Sequence, residues 1–334
     1  MPRYAILLSP SANRVYGQHA PDLAAAEFAV VARSLRCEAR LEGVTTIGGV
    51  EYLVVVAAAL EDHDLEALSN LSGTFALFEL RDVNETLRPV ELRRSAAFGS
   101  DLITIQRYSG KTNEQFTHLL VNLAVAVSPA AQERRAAGLA VRLFDPVAGR
   151  GTTLNRGLMY GFDVAGMDVD DTDFDAYRHF LTTYLKDNGR SFKLDDAHVR
   201  KGPQAGSKRF TVRIEGRQRV EVVRDDAAHA DRHFGAKSFD VLVGDLPYGV
   251  QHGSTAGGNL ARAPGDLVAA CAAAWRAVLR SGAGVALAWN NKTLKRDHLE
   301  GALADAGFTV LAPPRSFEHR VDRAITRDVV LAQT

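Results

Sequence analysis

From about residue 100 to the end of the chain, short apolar runs alternate with helix-length segments, and that rhythm admits few folds. Strand patterns fit residues 141–145, 164–168, 220–223, 239–244, 284–289, 308–312 and 328–332, with helices between most of them and one at 113–127 ahead of them. Neighbouring parallel strands need a long crossover, usually a helix, so this alternation predicts a doubly wound, mainly parallel α/β sheet. The segment 191–218 interrupts it as a basic insert carrying Lys193, Arg200, Lys201, Lys208, Arg209, Arg213 and Arg217. Its Gly202-Pro203 piece reads as loop and residues 209–214 as strand.

The first 95 residues read differently. A strand at 3–8, a helix after Pro21-Asp22, strands at 37–41 and 51–57, a helix at 62–69 and a strand at 74–80 give the order β-α-β-β-α-β. That is the ferredoxin-like arrangement, a small α+β domain. Residues 82–95 are charged and weakly patterned and read as a linker. The expected organisation is thus a domain over 1–95 and a larger one over 100–334, sensible for 334 residues.

Composition narrows the partners. Forty basic side chains balance forty acidic ones, so the net charge is zero, and strong non-specific affinity for nucleic acid is not expected unless a local basic patch supplies it. Cys37 and Cys271 lie in no paired metal spacing, so neither a disulfide framework nor a zinc site is expected. The initial apolar run is too short for a signal peptide, and no stretch approaches the roughly 20 residues of a membrane span. The expectation is a cytoplasmic protein with no membrane and no metal.

Four segments carry chemistry. In Asp145-Pro146-Val147-Ala148-Gly149-Arg150-Gly151-Thr152, a strand gives way to a helix through two glycines. Glycine lets backbone approach a ligand without a Cβ, and the helix start offers free N–H groups. About twenty residues on, Asp168, followed by Val169, ends the second strand, where a carboxylate can accept from both ribose hydroxyls of a nucleotide-like ligand. Asp170 is its reserve, and an N-cap is the structural alternative. Asp226, followed by Ala227, sits just past the strand at 220–223, where such folds place a carboxylate beside an adenine amine. Finally, residues 239–244 deliver Asp245-Leu246-Pro247-Tyr248 to the carboxyl edge of the sheet, where ligands bind in α/β folds. An aromatic amine is a poor nucleophile because its lone pair is delocalised. The Asp245 carboxylate and the Leu246 carbonyl can each accept one of its N–H bonds and localise that pair. Pro247 holds Leu246 extended, and Tyr248 can stack on an extruded base.

These motifs resemble those of amino-group methyltransferases. The acidic-Pro-x-x-Gly-x-Gly loop is similar to their cofactor loop, and Asp-Leu-Pro-Tyr to their (Asp/Asn)-Pro-Pro-Tyr motif. The form with a non-proline second residue, together with the ferredoxin-like domain, resembles the THUMP-type tRNA guanosine-N2 methyltransferases, although the space between the domains is too short for a whole THUMP domain. The resemblance covers roughly residues 105–334. It implies a Rossmann-like class I methyltransferase sheet, S-adenosylmethionine as cofactor, and an RNA substrate, tRNA first. It further implies that Lys111, Thr112 and Asn113, with Phe116 packed on the cofactor, hold the methionine end. Helix capping is the plain alternative for Thr112 and Asn113. Trp289 and Asn290 end a strand at the edge of Asp245 and are candidates for the substrate pocket, as are Lys208 and Arg209 for RNA. The rival readings are a DNA adenine-N6 or cytosine-N4 methyltransferase and a non-catalytic binding module.

Overall fold

The computed structural model of the chain describes residues 1–81, 86–108, 110–198, 206–247 and 264–334. The small sheet is built first. β1 (Arg3–Leu8) leads through α1 (Arg14–Val31) to the hairpin of β2 (Ala39–Ile47) and β3 (Val50–Ala57). α2 (Asp62–Ser69) then leads to β4 (Thr74–Arg81) and β5 (Thr86–Val90). The strands lie in the order β2-β3-β1-β4-β5 and every pair is antiparallel. The β-α-β-β-α-β core is the expected ferredoxin-like one.

Two expectations in this part are corrected. The helix does not begin at Pro21. Asn13 caps it, its side chain accepting from the N–H groups of Val15 and Tyr16, and Pro21 lies inside α1. The residue four before the proline is Gly17, which brings no side chain to the turn that the ring crowds. Nor are residues 82–95 simply a linker: Thr86–Val90 pairs with β4, Pro89 opposite Phe78. β5 is the sheet's edge strand, where a missing N–H leaves no ladder bond unmade.

Three helices follow: the single turn α3 (Asp101–Thr104), α4 (Glu114–Ala126) and α5 (Pro129–Ala136). The large sheet then begins with β6 (Arg142–Asp145), α6 (Thr152–Met159), β7 (Asp163–Asp168) and α7 (Asp171–Asp187). The hairpin β8 (Phe192–His198) and β9 (Lys208–Ile214) leads to β10 (Gln218–Arg224), the short α8 (Ala230–His233) and β11 (Phe239–Asp245). The remainder is α9 (Pro264–Val278), β12 (Leu279–Asn290), α10 (Arg296–Asp305), β13 (Thr309–Leu311), β14 (His319–Arg320) and β15 (Thr326–Gln333).

The strand order is β13-β15-β12-β11-β6-β7-β10-β9-β8, with β14 paired to β15. The five central strands, β10, β7, β6, β11 and β12, are mutually parallel. β15 runs antiparallel between β12 and β13. This is a Rossmann-like sheet, reversing at β6–β11 as doubly wound sheets do. The basic insert is no detached loop. β8 and β9 pair onto β10 and widen the sheet.

Apolar faces cover both sides. Buried on one face are Leu119, Leu120 and Leu123 of α4 with Leu154, Leu158, Tyr177 and Val243. In the same cluster lie Tyr16, Leu23, Ala26 and Val30 of α1. The N-terminal helix therefore belongs to the core of the large sheet as well as to its own. A polar seam runs beside it. The carboxylate of buried Glu27 accepts from the Ser72 N–H at 3.0 Å and from Asn122 Nδ2 at 2.6 Å. Asn122 Nδ2 also donates to the Asn70 carbonyl, and Tyr160 donates to Asn122 and pairs with His118. Among the described residues no helix is long and apolar enough to cross a membrane, and no group of three or more His, Cys, Asp or Glu is arranged to hold a metal.

Candidate active site at the carboxyl edge of the large sheet

β6, β7 and β11 end side by side, and their last residues are Asp145, Asp168 and Asp245. The turn after β6 is shaped by its glycines. Gly149 and Gly151 have φ of +49° and +79°, left-handed values that favour glycine. Their surroundings differ. A Cβ on Gly151 would lie 2.2 Å from the Tyr177 ring, whereas a Cβ on Gly149 would meet nothing within 4 Å. Gly151 is needed for packing. Gly149 borders open space, and it is the position where a ligand can come against bare backbone. Ala148 is buried and donates to the Met167 carbonyl, tying the turn to β7.

Asp168 fastens the same turn from the other side. Its Oδ2 accepts the Gly149 N–H at 2.7 Å and its Oδ1 the Asp170 N–H at 2.9 Å. Burial pushes its carboxyl up to about 6, against the lowering effect of those two N–H groups. An ionised carboxylate has about four lone-pair sites, so two bonds leave capacity for hydroxyl donors. Val169 is 67% exposed, an apolar side chain standing at the strand tip. Asp170 caps α7, accepting from Thr172 and Asp173. Asp145 is buried, accepts the Val147 N–H at 3.0 Å, and is pushed up to about 7, chiefly by its burial. Thr152 opens α6 and bonds the Tyr108 hydroxyl at 3.0 Å, and the Arg150 guanidinium lies 4.8 Å from that ring.

Asp245 is held by residues far away in sequence. Thr112 Oγ1 donates to its Oδ2 at 2.5 Å, and Arg327 Nη2 reaches the same oxygen at 3.3 Å. Arg327, on β15, is 4% exposed and lies 4.6 Å above the Phe116 ring. His319 packs on that ring too, at 4.9 Å between centroids. Leu246 is buried and its N–H donates to the Ala288 carbonyl, which fixes the start of the turn after β11; Pro247 is exposed. Tyr248 lies outside the described residues.

Several expected contacts take other forms. The Lys111 ammonium donates to the carbonyls of Ile103 and Gln106 and to Glu114, using all three protons. Asn113 is the N-cap of α4, accepting from Gln115 and Phe116. Thr112 turns to Asp245, and Phe116 is buried beneath Arg327. Asp226 caps the helical turn after β10 by accepting from Ala228, next to the buried Ala227. Asp225 is taken by His229 and His233, at 3.1 and 2.6 Å. Trp289 is fully buried with its indole N–H on the Leu294 carbonyl, and it is a core residue. Asn290 is also buried and bonds three backbone groups. Lys208 pairs with Asp171 at 2.7 Å and Arg209 with Glu221 at 3.0 Å, acids that Arg224 and Arg219 share with them. Sequence reasoning missed Arg327. It lies on β15, antiparallel to β12, with no motif around it.

No protein-family model and no curated protein matches the chain. Solved structures do resemble it. A TehB-like SAM-dependent methyltransferase from Corynebacterium glutamicum is 14% identical, over 66% of this chain and 97% of its own, with a TM-score of 0.35. An rRNA methylase from Streptococcus thermophilus is 11% identical, over 58% and 87%, with a TM-score of 0.34. A spermidine synthase from Thermotoga maritima is 11% identical, over 68% and 61%, with a TM-score of 0.39. At such values the activities in those names belong to those proteins, and the chemistry open to this chain follows from its own carboxyl edge.

Proposed function

We propose that the chain is an S-adenosylmethionine-dependent N-methyltransferase whose target is an exocyclic amine of a nucleobase, guanine N2 in tRNA or another structured RNA. The observation that carries this is the Asp245 carboxylate. It ends a buried strand at the ligand edge of a Rossmann-like sheet, fixed by a hydroxyl and a guanidinium, one strand away from the glycine turn. The turn fits the cofactor: Gly149 gives bare backbone, Asp168 gives acceptors for ribose hydroxyls, and Val169 gives an apolar surface.

Bound there, S-adenosylmethionine supplies a methyl group on a positively charged sulfur. The chain's own part is to make the amine nucleophilic. Asp245 accepts one N–H of the target amine and the Leu246 carbonyl accepts the other, so the nitrogen lone pair is drawn out of the ring. When the methyl group passes from the sulfur to the nitrogen, the Asp245 carboxylate would take up the surplus amine proton. Thr112 and Arg327 keep that carboxylate in place throughout. The RNA substrate is supported by the Asp245-Leu246-Pro247-Tyr248 form and by the ferredoxin-like domain.

Incubation with labelled cofactor and either unmodified tRNA or duplex DNA tests the reading, with nucleosides identified by mass spectrometry. N2-methylguanosine in the RNA is expected, and Asp245→Ala should lower the rate by ~10²–10⁴ with cofactor affinity kept. Label only in DNA, as N6-methyladenine or N4-methylcytosine, would transfer the assignment to DNA. Cofactor binding with no transfer to either would leave a binding module.

A further inference from the structure

A neutral chain that acts on a nucleic acid must gather its positive charge locally. In the described part of the hairpin β8–β9, Lys208, Arg209 and Arg213 lie within 2.7, 3.0 and 3.9 Å of Asp171, Glu221 and Asp195, and each of these acids also meets a second cation, Arg224, Arg219 and Lys193 respectively. The two loops beside Asp245 are different. Lys292 follows β12, and Arg320 and Arg323 flank the turn between β14 and β15; all three are exposed. Lys292 Nζ donates to the Arg323 carbonyl at 2.9 Å, and Arg320 Nε to the Asp322 carbonyl at 3.2 Å. Those acceptors are neutral, and among the described residues no carboxylate forms an ion pair with any of the three. The two nearby acids are engaged. Asp322 Oδ1 accepts the N–H groups of Ala324 and Ile325, and Glu318 accepts from Asn291.

The loops are locked together and to the reaction point. Asn290, fully buried, accepts from the Lys292 and Thr326 N–H groups and donates to the Ala324 carbonyl. Arg327, which holds Asp245, stands opposite Asn290, and Arg320 stands opposite Thr326, one residue further along β15. One strand residue is about 3.3 Å. A nucleotide extruded to bring its base amine to Asp245 carries its own and its neighbours' phosphates within reach of this rim.

We propose that Lys292, Arg320 and Arg323 form a phosphate-binding rim that receives the backbone of the RNA substrate, with Asn290 as the residue that positions its two loops. This rests on the nucleic-acid reading of the site. Binding of an unmodified tRNA transcript by the full chain, followed by fluorescence anisotropy from low to moderate salt, tests it. The variant Lys292→Gln/Arg320→Gln/Arg323→Gln should weaken binding at least tenfold. The slope of log K against log salt should fall by about 2, since each phosphate contact contributes about 0.7–0.9. Cofactor affinity should be unchanged, and in turnover KM should rise while kcat at saturation stays within about twofold. The hairpin variant Lys193→Gln/Arg213→Gln should bind like the parent. If the rim variant keeps the parental affinity and slope while the parent methylates RNA, the rim is wrong and the function stands. If the parent transfers no methyl group yet binds tRNA through the rim, the rim stands and the function falls. A parent that binds no tRNA overturns both, and a rim that serves duplex DNA but not tRNA overturns the RNA assignment.

Discussion

Two side chains converge on one oxygen of Asp245, and each acts on the carboxylate in its own way. The Thr112 hydroxyl fixes direction, while Arg327, stacked on Phe116, sets a positive charge beside it in a site shielded from water. A hydrogen bond to a charged group contributes about 1.5–3 kcal/mol. Thr112→Val, nearly isosteric, should therefore lower kcat by roughly 10- to 100-fold with KM and cofactor affinity little changed, and Thr112→Ser should restore most of the rate. Steady-state kinetics on the substrate that accepts the methyl group would decide it; equal rates in Thr112→Val and the parent would show that the hydroxyl does not aim the carboxylate. Asp168 makes a pH prediction. With its carboxyl near 6, acidification below that value protonates it and removes acceptors from the place proposed for the ribose, so cofactor affinity by calorimetry should fall as pH drops from 7.5 to 5. The folding linkage has the opposite sign. A raised carboxyl pKa means the native state holds protons more readily than the unfolded one, so Asp145 and Asp168 cost stability above their native values. That cost vanishes as pH falls toward the ordinary range near 4. Asp245 and Gly149 were legible because a short motif announces them. Arg327 was not, because its proximity arises from strand pairing between β12 and β15, which no local pattern encodes.

The turn between β6 and α6 separates two uses of glycine, and substitution should separate them experimentally. Gly149→Ala places a methyl group in open space at a mildly strained φ, costing about 1–2 kcal/mol. The protein should fold, and cofactor binding should weaken markedly. Gly151→Ala drives a methyl group into Tyr177, a buried ring with its hydroxyl on Asn155. Here the melting temperature itself should drop, and circular dichroism during heating distinguishes the two. If Gly149→Ala binds cofactor like the parent, the ligand does not approach at that residue. The elements least legible from sequence were those decided by pairing. β8 and β9 look like a charged insert until β10 accepts them as neighbours, after which their cations find acids on β10 and α7. β5 looks like a linker because of Pro89, a residue an edge strand tolerates. The central parallel strands were legible because both of their faces are buried, which writes an unbroken apolar run into the sequence.

For the molecule as a whole, the decisive feature is α1, which packs in the core of the large sheet and carries Glu27 into a buried polar seam with Ser72, Asn122 and Asn70. Asn122→Ala removes a donor from Glu27 and an acceptor from Tyr160 together. It should destabilise the chain by at least the ~1–3 kcal/mol of one buried unsatisfied group. With a core in common, calorimetry should show a single unfolding transition that moves down in this variant; two resolved transitions would mean that the small sheet unfolds by itself. Neither the seam nor the common core was legible, since the α1 pattern reads equally well as the inner face of a small domain alone. The packing of α1 has a bearing on substrate choice. Since α1 packs in the core of the large sheet, the ferredoxin-like surface and Asp245 stand a set span apart, and the chain works like a gauge. On the proposed function, an RNA held against that surface would be methylated where its target nucleotide lies that span from the hold, with sequence entering only at the base itself.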